Sequence, residues 1–175
     1  MFKTILCPVD GSAHAAQALE MAIDMAKRYG ASLVILHCLL RNADPAALQR
    51  FAEIEGLAPH VGPAVQRLRD MDDRLQIQPL PNYEDTATSS RALVEIGQHV
   101  LDDAELQAGE NGVDKVEAIL TDGDPADRIL AAIAAHKADC VVMGSRGLSD
   151  IKAVLLGSVS HKVMNRAPCT CIAVK

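Results

Sequence analysis

Tryptophan is missing from this 175-residue chain, and the aromatic side chains amount to Phe2, Tyr29, Phe51 and Tyr83. Any core must therefore be aliphatic, and no platform of stacked rings is available to single-stranded nucleic acid. Basic charge is also short: 17 Lys and Arg stand against 23 Asp and Glu, a net charge of −6 at pH 7. Neutralising a phosphate backbone needs clustered cations, so nucleic acid is not expected as a main partner. Long apolar runs are lacking as well. No stretch approaches the roughly 20 residues that span a bilayer. Pro8 and Asp10 interrupt the first apolar segment too early for a signal-peptide core. The expectation is a cytoplasmic protein with no membrane partner. The five cysteines (Cys7, Cys38, Cys140, Cys169, Cys171) are odd in number and lie mostly inside apolar runs. They read as buried free thiols, not as a disulfide framework. Cys169 and Cys171 read as same-face residues of one strand, a poor geometry for a local bridge. The six histidines show no metal-ligand spacing.

What is present is an alternation of strand and helix. Ile5 to Val9 is a short apolar run ended by Asp10-Gly11, which predicts a buried strand. Ser12 can cap a helix through Tyr29, with Leu19, Ala22, Ile23 and Ala26 on one face and Gly30 as its stop. Ser32 to Cys38 predicts a second buried strand, and Val113 to Leu120 an edge strand with one wet face. Asp124-Pro125 opens a helix with cap and proline in their preferred places. Asp139 to Met143 and Thr170 to Val174 predict the last two strands. Such repetition gives a parallel sheet with helices on both faces and right-handed crossovers.

Between the second and third strands the pattern is irregular. Short helices are expected from Asp44 and from Pro63, an extended connection over 76–82, and a long helix from about Asp85 to Ala108. Residues 40–88 hold too few apolar side chains for a core of their own. The expectation is one domain over 1–175 with an inserted excursion at about 40–88.

In parallel sheets of this kind ligands bind at the C-terminal strand ends, beside the switch in strand order. Asp10-Gly11 follows the first strand and Gly144-Ser145 the fourth. If those strands are neighbours, both turns open onto one crevice. The strongest motif is Gly144-x2-Gly147-x9-Gly157-Ser158. Glycines alone serve ordinary turns equally well. Here the first directly follows a buried strand, and the last offers backbone donors and a hydroxyl at a helix start, a setting that suits phosphate.

At these residues the chain resembles the universal stress protein family, in its ATP-binding branch. The resemblance rests on the glycine pattern, on Ile5 to Ser12, on Gly123-x-Pro125 and on the closing apolar strand, and spans nearly the whole chain. It implies a three-layer α/β sandwich with a five-stranded parallel sheet of order 3-2-1-4-5, Rossmann-like and similar to the adenine nucleotide alpha hydrolases. It implies that Pro8, Val9 and Asp10 lie at the adenosine end, and that the backbone at His37 and Cys38 meets adenine. Met143, Gly144, Gly147, Gly157 and Ser158 would contact ribose and phosphates, with Ser145, Arg146, Val159 and Ser160 lining the same loops. Cys38 stands where a small aliphatic residue is common, so only its backbone is expected to take part. Arg146 can pair with phosphate or point into water. The resemblance also implies ATP as ligand, with Mg2+ or Mn2+ carried by the phosphates, and a homodimer through the last strand.

Three functions compete on the sequence. One is an ATP-binding stress-response regulator, in which nucleotide sets conformation or partner choice. The second is a slow ATPase or self-phosphorylating protein. The third is a dimeric scaffold with structural glycine loops. The motif lacks the lysine of a Walker loop, and no base is evident to activate Ser158 or Ser160. Binding without efficient turnover is the preferred reading. The downstream partner and the triggering stress are not written in the chain.

Overall fold

A computed structural model of the chain describes residues 2–39, 83–147 and 157–175. The backbone divides into two compact units, Met1–Leu39 with His99–Lys175, and Leu40–Gln98. Of the second unit only the helical stretch from Tyr83 to Gln98 is described. The short helices expected from Asp44 and Pro63, the connection over 76–82 and the segment 148–156 lie outside the described residues.

The first unit carries five strands: β1 (Thr4–Pro8), β2 (Ser32–Cys38), β3 (Val116–Thr121), β4 (Cys140–Gly144) and β5 (Thr170–Val174). All pairings are parallel, and the order is β3-β2-β1-β4-β5. The four described helices are α1 (Ala13–Tyr29), α2 (Tyr83–Glu110), α3 (Pro125–His136) and α4 (Ser158–Arg166). The order reverses between β1 and β4, so the turns after those two strands flank the switch point, as expected.

Local chemistry explains the boundaries. Gly11 takes a φ of +82°, which frees the chain to turn out of β1. Ser12 then caps α1, its Oγ accepting from Ala15 N–H at 3.3 Å. Gly30 ends that helix in the left-handed region at φ 61°. Asp124 caps α3 by accepting from Asp127 N–H at 3.0 Å, and Pro125 fills the first helical position. Asp139 Oδ2 accepts from Lys3 N–H (2.7 Å) and Thr4 N–H (3.0 Å), tying the start of β1 to the strand that follows α3.

Alternation along the strands sorts the core. Leu6, Val34, Leu36, Val141 and Met143 pack with Ala126, Ile129 and Ile133 of α3 and Val163 of α4. Ile5, Cys7, Ile35 and Val142 point the other way and are fully buried. On that face α1 buries Ala15, Ala18, Leu19, Ala22 and Ile23. Small residues on α1 let it lie close on the sheet, an aliphatic solution to the shortage of rings.

The sequence expectation needs small corrections. β1 runs from Thr4 to Pro8 instead of Ile5 to Val9, and β3 begins at Val116, with Val113 buried in the preceding turn. Cys169 lies in a bend before β5 and not within it. All five thiols are free, with Cys7, Cys38 and Cys140 buried and Cys169 and Cys171 half-buried. Burial pushes the Cys7 thiol up to about 12 and that of Cys140 to about 11.

Candidate functional site

Three segments meet beyond the C-terminal ends of β1 and β4. From β1 the chain passes through Pro8, Val9 and Asp10 into the turn that starts α1. Asp10 Oδ1 accepts from Ser12 N–H at 3.0 Å, so the carboxylate is folded back over its own turn. From β4 the chain leaves through Gly144, Ser145, Arg146 and Gly147. A Cβ built on Gly144 would stand 2.9 Å from the His14 carbonyl carbon and 3.0 Å from Ala15 N. The start of α1 therefore presses on this glycine as backbone against backbone. A Cβ on Gly147 would collide with Asp10 Oδ2. β1 and β4 are neighbours, the condition for the two turns to share a crevice, and the turns do lie side by side.

The third segment is the start of α4. Gly157 N–H donates to Ser145 O at 2.7 Å, and Ser160 Oγ lies 3.1 Å from Gly144 O and 3.0 Å from Ser145 O as their donor. Ser145 N–H in turn donates to Val174 O at 2.6 Å, extending the β4–β5 ladder by one rung. The loop after β4 is thus held between α4 and β5. Gly157 is the N-cap of α4 and brings no side-chain acceptor, whereas Ser12 and Asp124 each satisfy a first-turn donor of their helices. The first-turn N–H groups at Ser158, Val159 and Ser160 therefore have no side-chain cap, and the positive end of the helix dipole goes with them.

Beside this lies the end of β2. His37 is fully buried, and its Nδ1 is 2.9 Å from Val9 O. A carbonyl only accepts, so Nδ1 carries the proton and Nε2 is left as an acceptor. Burial lowers the His37 pKa, opposed in part by the Val9 carbonyl and the Asp10 charge, which favours the neutral ring. The Cys38 thiol turns away and donates to Gly123 O at 3.2 Å, in the turn after β3. Its side chain is thus occupied.

Among the described residues, two buried side-chain polar atoms have no hydrogen-bond partner: His37 Nε2 and Ser145 Oγ. His37 lies near the end of β2 and Ser145 directly after β4. Leaving a buried polar atom unpaired costs about 1–3 kcal/mol.

The structure therefore brings together Val9, Asp10, Gly144, Ser145, Gly147, Gly157 and Ser160, with Cys38 joined to them through His37 and Val9. Pro8 and Arg146 are half-buried at the rim, Ser158 is exposed and Val159 half-buried. Met143 faces the apolar layer under α3 instead of the crevice. Ser160 is buried with its hydroxyl directed at loop carbonyls. Sequence reasoning named His37 only for its backbone. The available signal was a single imidazole closing the otherwise apolar strand Leu33 to Leu36.

A doubly wound α/β sheet with two turns and a helix start converging at its switch point defines the structural class. The profile of the Universal stress protein family matches residues 1–175. A universal stress protein of Thermus aquaticus is 31% identical over 179 residues, covering all of both chains. The universal stress protein YxiE of Bacillus subtilis is 29% identical over 175 residues, also with full coverage. Among solved structures, a universal stress protein in complex with cAMP aligns with a TM-score of 0.59 at 21% identity, covering 99% of this chain and 96% of its own. A family member from Arabidopsis thaliana with AMP bound gives 0.58 at 19% identity, covering 99% and 91%. The chain belongs to the universal stress protein family. No described helix is long and apolar enough to cross a membrane.

Proposed function

We propose that the crevice binds an adenine nucleotide, with ATP as the principal ligand, and that the bound nucleotide regulates conformation or partner choice. The observation that carries this reading is the uncapped start of α4 clasped to the loop after β4 through Gly157 and Ser145. Backbone N–H groups and a helix dipole at one place suit a phosphate chain. The Asp10 carboxylate, next to Gly147, would repel phosphates but accept from ribose hydroxyls, which orients the nucleoside toward β1 and β2. The cAMP and AMP complexes of family members support the nucleotide class. Mg2+ or Mn2+ would arrive on the phosphates and need few protein ligands.

Binding without efficient turnover fits the hydroxyl chemistry. Ser160 Oγ donates to two loop carbonyls and is not presented as a nucleophile. The working assembly is a cytoplasmic homodimer joined through β5, an edge strand of the sheet. The test is to denature the purified protein, chromatograph the released small molecules, and titrate the nucleotide-free protein calorimetrically with ATP-Mg, AMP and cAMP. Saturable binding with ATP favoured is the expected result. No co-purified nucleotide and no heat with any of the three would overturn the reading.

A further inference from the structure

The ladder between β1 and β2 stops one rung early. Ser32 N–H donates to Lys3 O, and the register continues in step to Pro8 opposite Leu36, closed by Val9 N–H to Leu36 O. The same geometry calls next for Cys38 N–H to Val9 O. That bond is not formed, and pairing ends at Pro8. Val9 O instead accepts from His37 Nδ1 at 2.9 Å, from the side chain of the residue just before Cys38. A backbone donor at the end of β2, beside the Val9-Asp10 turn, is thereby left out of the sheet. The imidazole that does this is fully buried, and its other nitrogen has no partner. A leucine here would extend the run Leu33 to Leu36 without burying an unpaired nitrogen, so filling the core does not account for the histidine.

We propose that His37 is a positioning residue for the base. By holding the Val9 carbonyl through Nδ1–H, it keeps the strand from zipping onto β1 and leaves Cys38 N–H as an open donor for a ring nitrogen of a purine. The inference rests on the nucleotide reading given above. The Cys38 thiol, held by Gly123 O, keeps its side chain off the same spot.

The experiment follows the Cys38 amide by hydrogen exchange in NMR spectra and measures ATP-Mg affinity by calorimetry, for wild type, His37→Leu and His37→Asn. In the nucleotide-free wild type this amide should exchange as an unpaired one and slow when ATP binds. In His37→Leu it should be protected without ligand, and ATP affinity should fall about tenfold. His37→Asn places an amide N–H near the Nδ1 position and should restore both fast exchange and affinity. A merely structural histidine would shift the melting temperature of both variants without this reciprocal change. A Cys38 amide already protected in the free wild type, or His37→Leu binding ATP as tightly as wild type, overturns the proposal. If His37→Leu fails to fold, the wild-type exchange and the Asn variant still decide. If even wild type binds no nucleotide, both readings fall; if wild type binds and His37→Leu binds equally, only this one does.

Discussion

Gly147 and Asp10, 137 positions apart in sequence, approach so closely that a methyl group on the glycine would meet the carboxylate oxygen Oδ2. The absence of a side chain at Gly147 is therefore what lets the acidic turn after β1 and the loop after β4 share one crevice. The obstacle is the end of a side chain and not backbone, so Gly147→Ala should rotate Asp10 aside and leave the fold alone. Unfolding free energy should stay within about 0.5 kcal/mol of wild type. ATP affinity should drop about tenfold or more as the carboxylate leaves its place. Urea denaturation and calorimetry on the same preparation check the two halves.

Gly144→Ala should behave in the opposite way. Its Cβ would press on His14 and Ala15 main-chain atoms, which cannot swing aside. Overpacking of this kind costs about 1–3 kcal/mol. The expected outcome is a lowered urea midpoint even without nucleotide.

Ser145→Ala removes a buried hydroxyl whose oxygen has no partner. Leaving such a group unpaired costs about 1–3 kcal/mol, so the variant should be as stable as wild type or more so in the absence of ligand. Loss of that advantage at saturating ATP would show that the nucleotide pairs with Oγ. Denaturation midpoints with and without ATP-Mg measure it.

Acid should weaken the fold through His37. Burial holds its pKa below the ordinary value of 6.5, so the unfolded chain binds a proton more readily than the native one. Stability from this residue is complete above pH 6.5 and declines as pH falls from there toward the depressed native value. A series of urea midpoints from about pH 8 to about pH 5 should show the decline in wild type and a flatter profile in His37→Asn.

The outer edge of β5 supplies a test of assembly. Thr170 N–H and Val174 O bond toward β4, so the backbone groups of Cys171 and Ala173 face away from it. Ala173→Pro removes an outward N–H without touching the inner ladder. The wild type should elute as a dimer by light scattering and the variant as a folded monomer.

The boundaries of α1 and the start of α3 were legible because each has a local cause. Ser12, Gly30, Asp124 and Pro125 act within a turn of where they stand, and their helices begin and end there. The neighbouring places of Asp10 and Gly144 followed from the strand order that the family resemblance implied. Three features were not read from the sequence, two of them because they depend on atoms distant in the chain. One is the imidazole of His37 replacing a ladder rung, which needs Val9, 28 positions away. Another is Ser160, which the family resemblance set among the residues lining the loops but whose hydroxyl reaches back 15 residues to Ser145 O. The third is Met143, whose neighbours Gly144 and Ser145 lie at the loop while strand alternation sends its own side chain into the apolar layer.

The bond from Gly157 N–H to Ser145 O joins main chain to main chain. No exchange of side chains can delete such a link; at position 157 only proline removes the donor. The frame of the crevice is thus insulated from substitution at the residues that line it. Substitution at Arg146 or Ser158 would alter the mouth of the crevice while leaving that main-chain link in place.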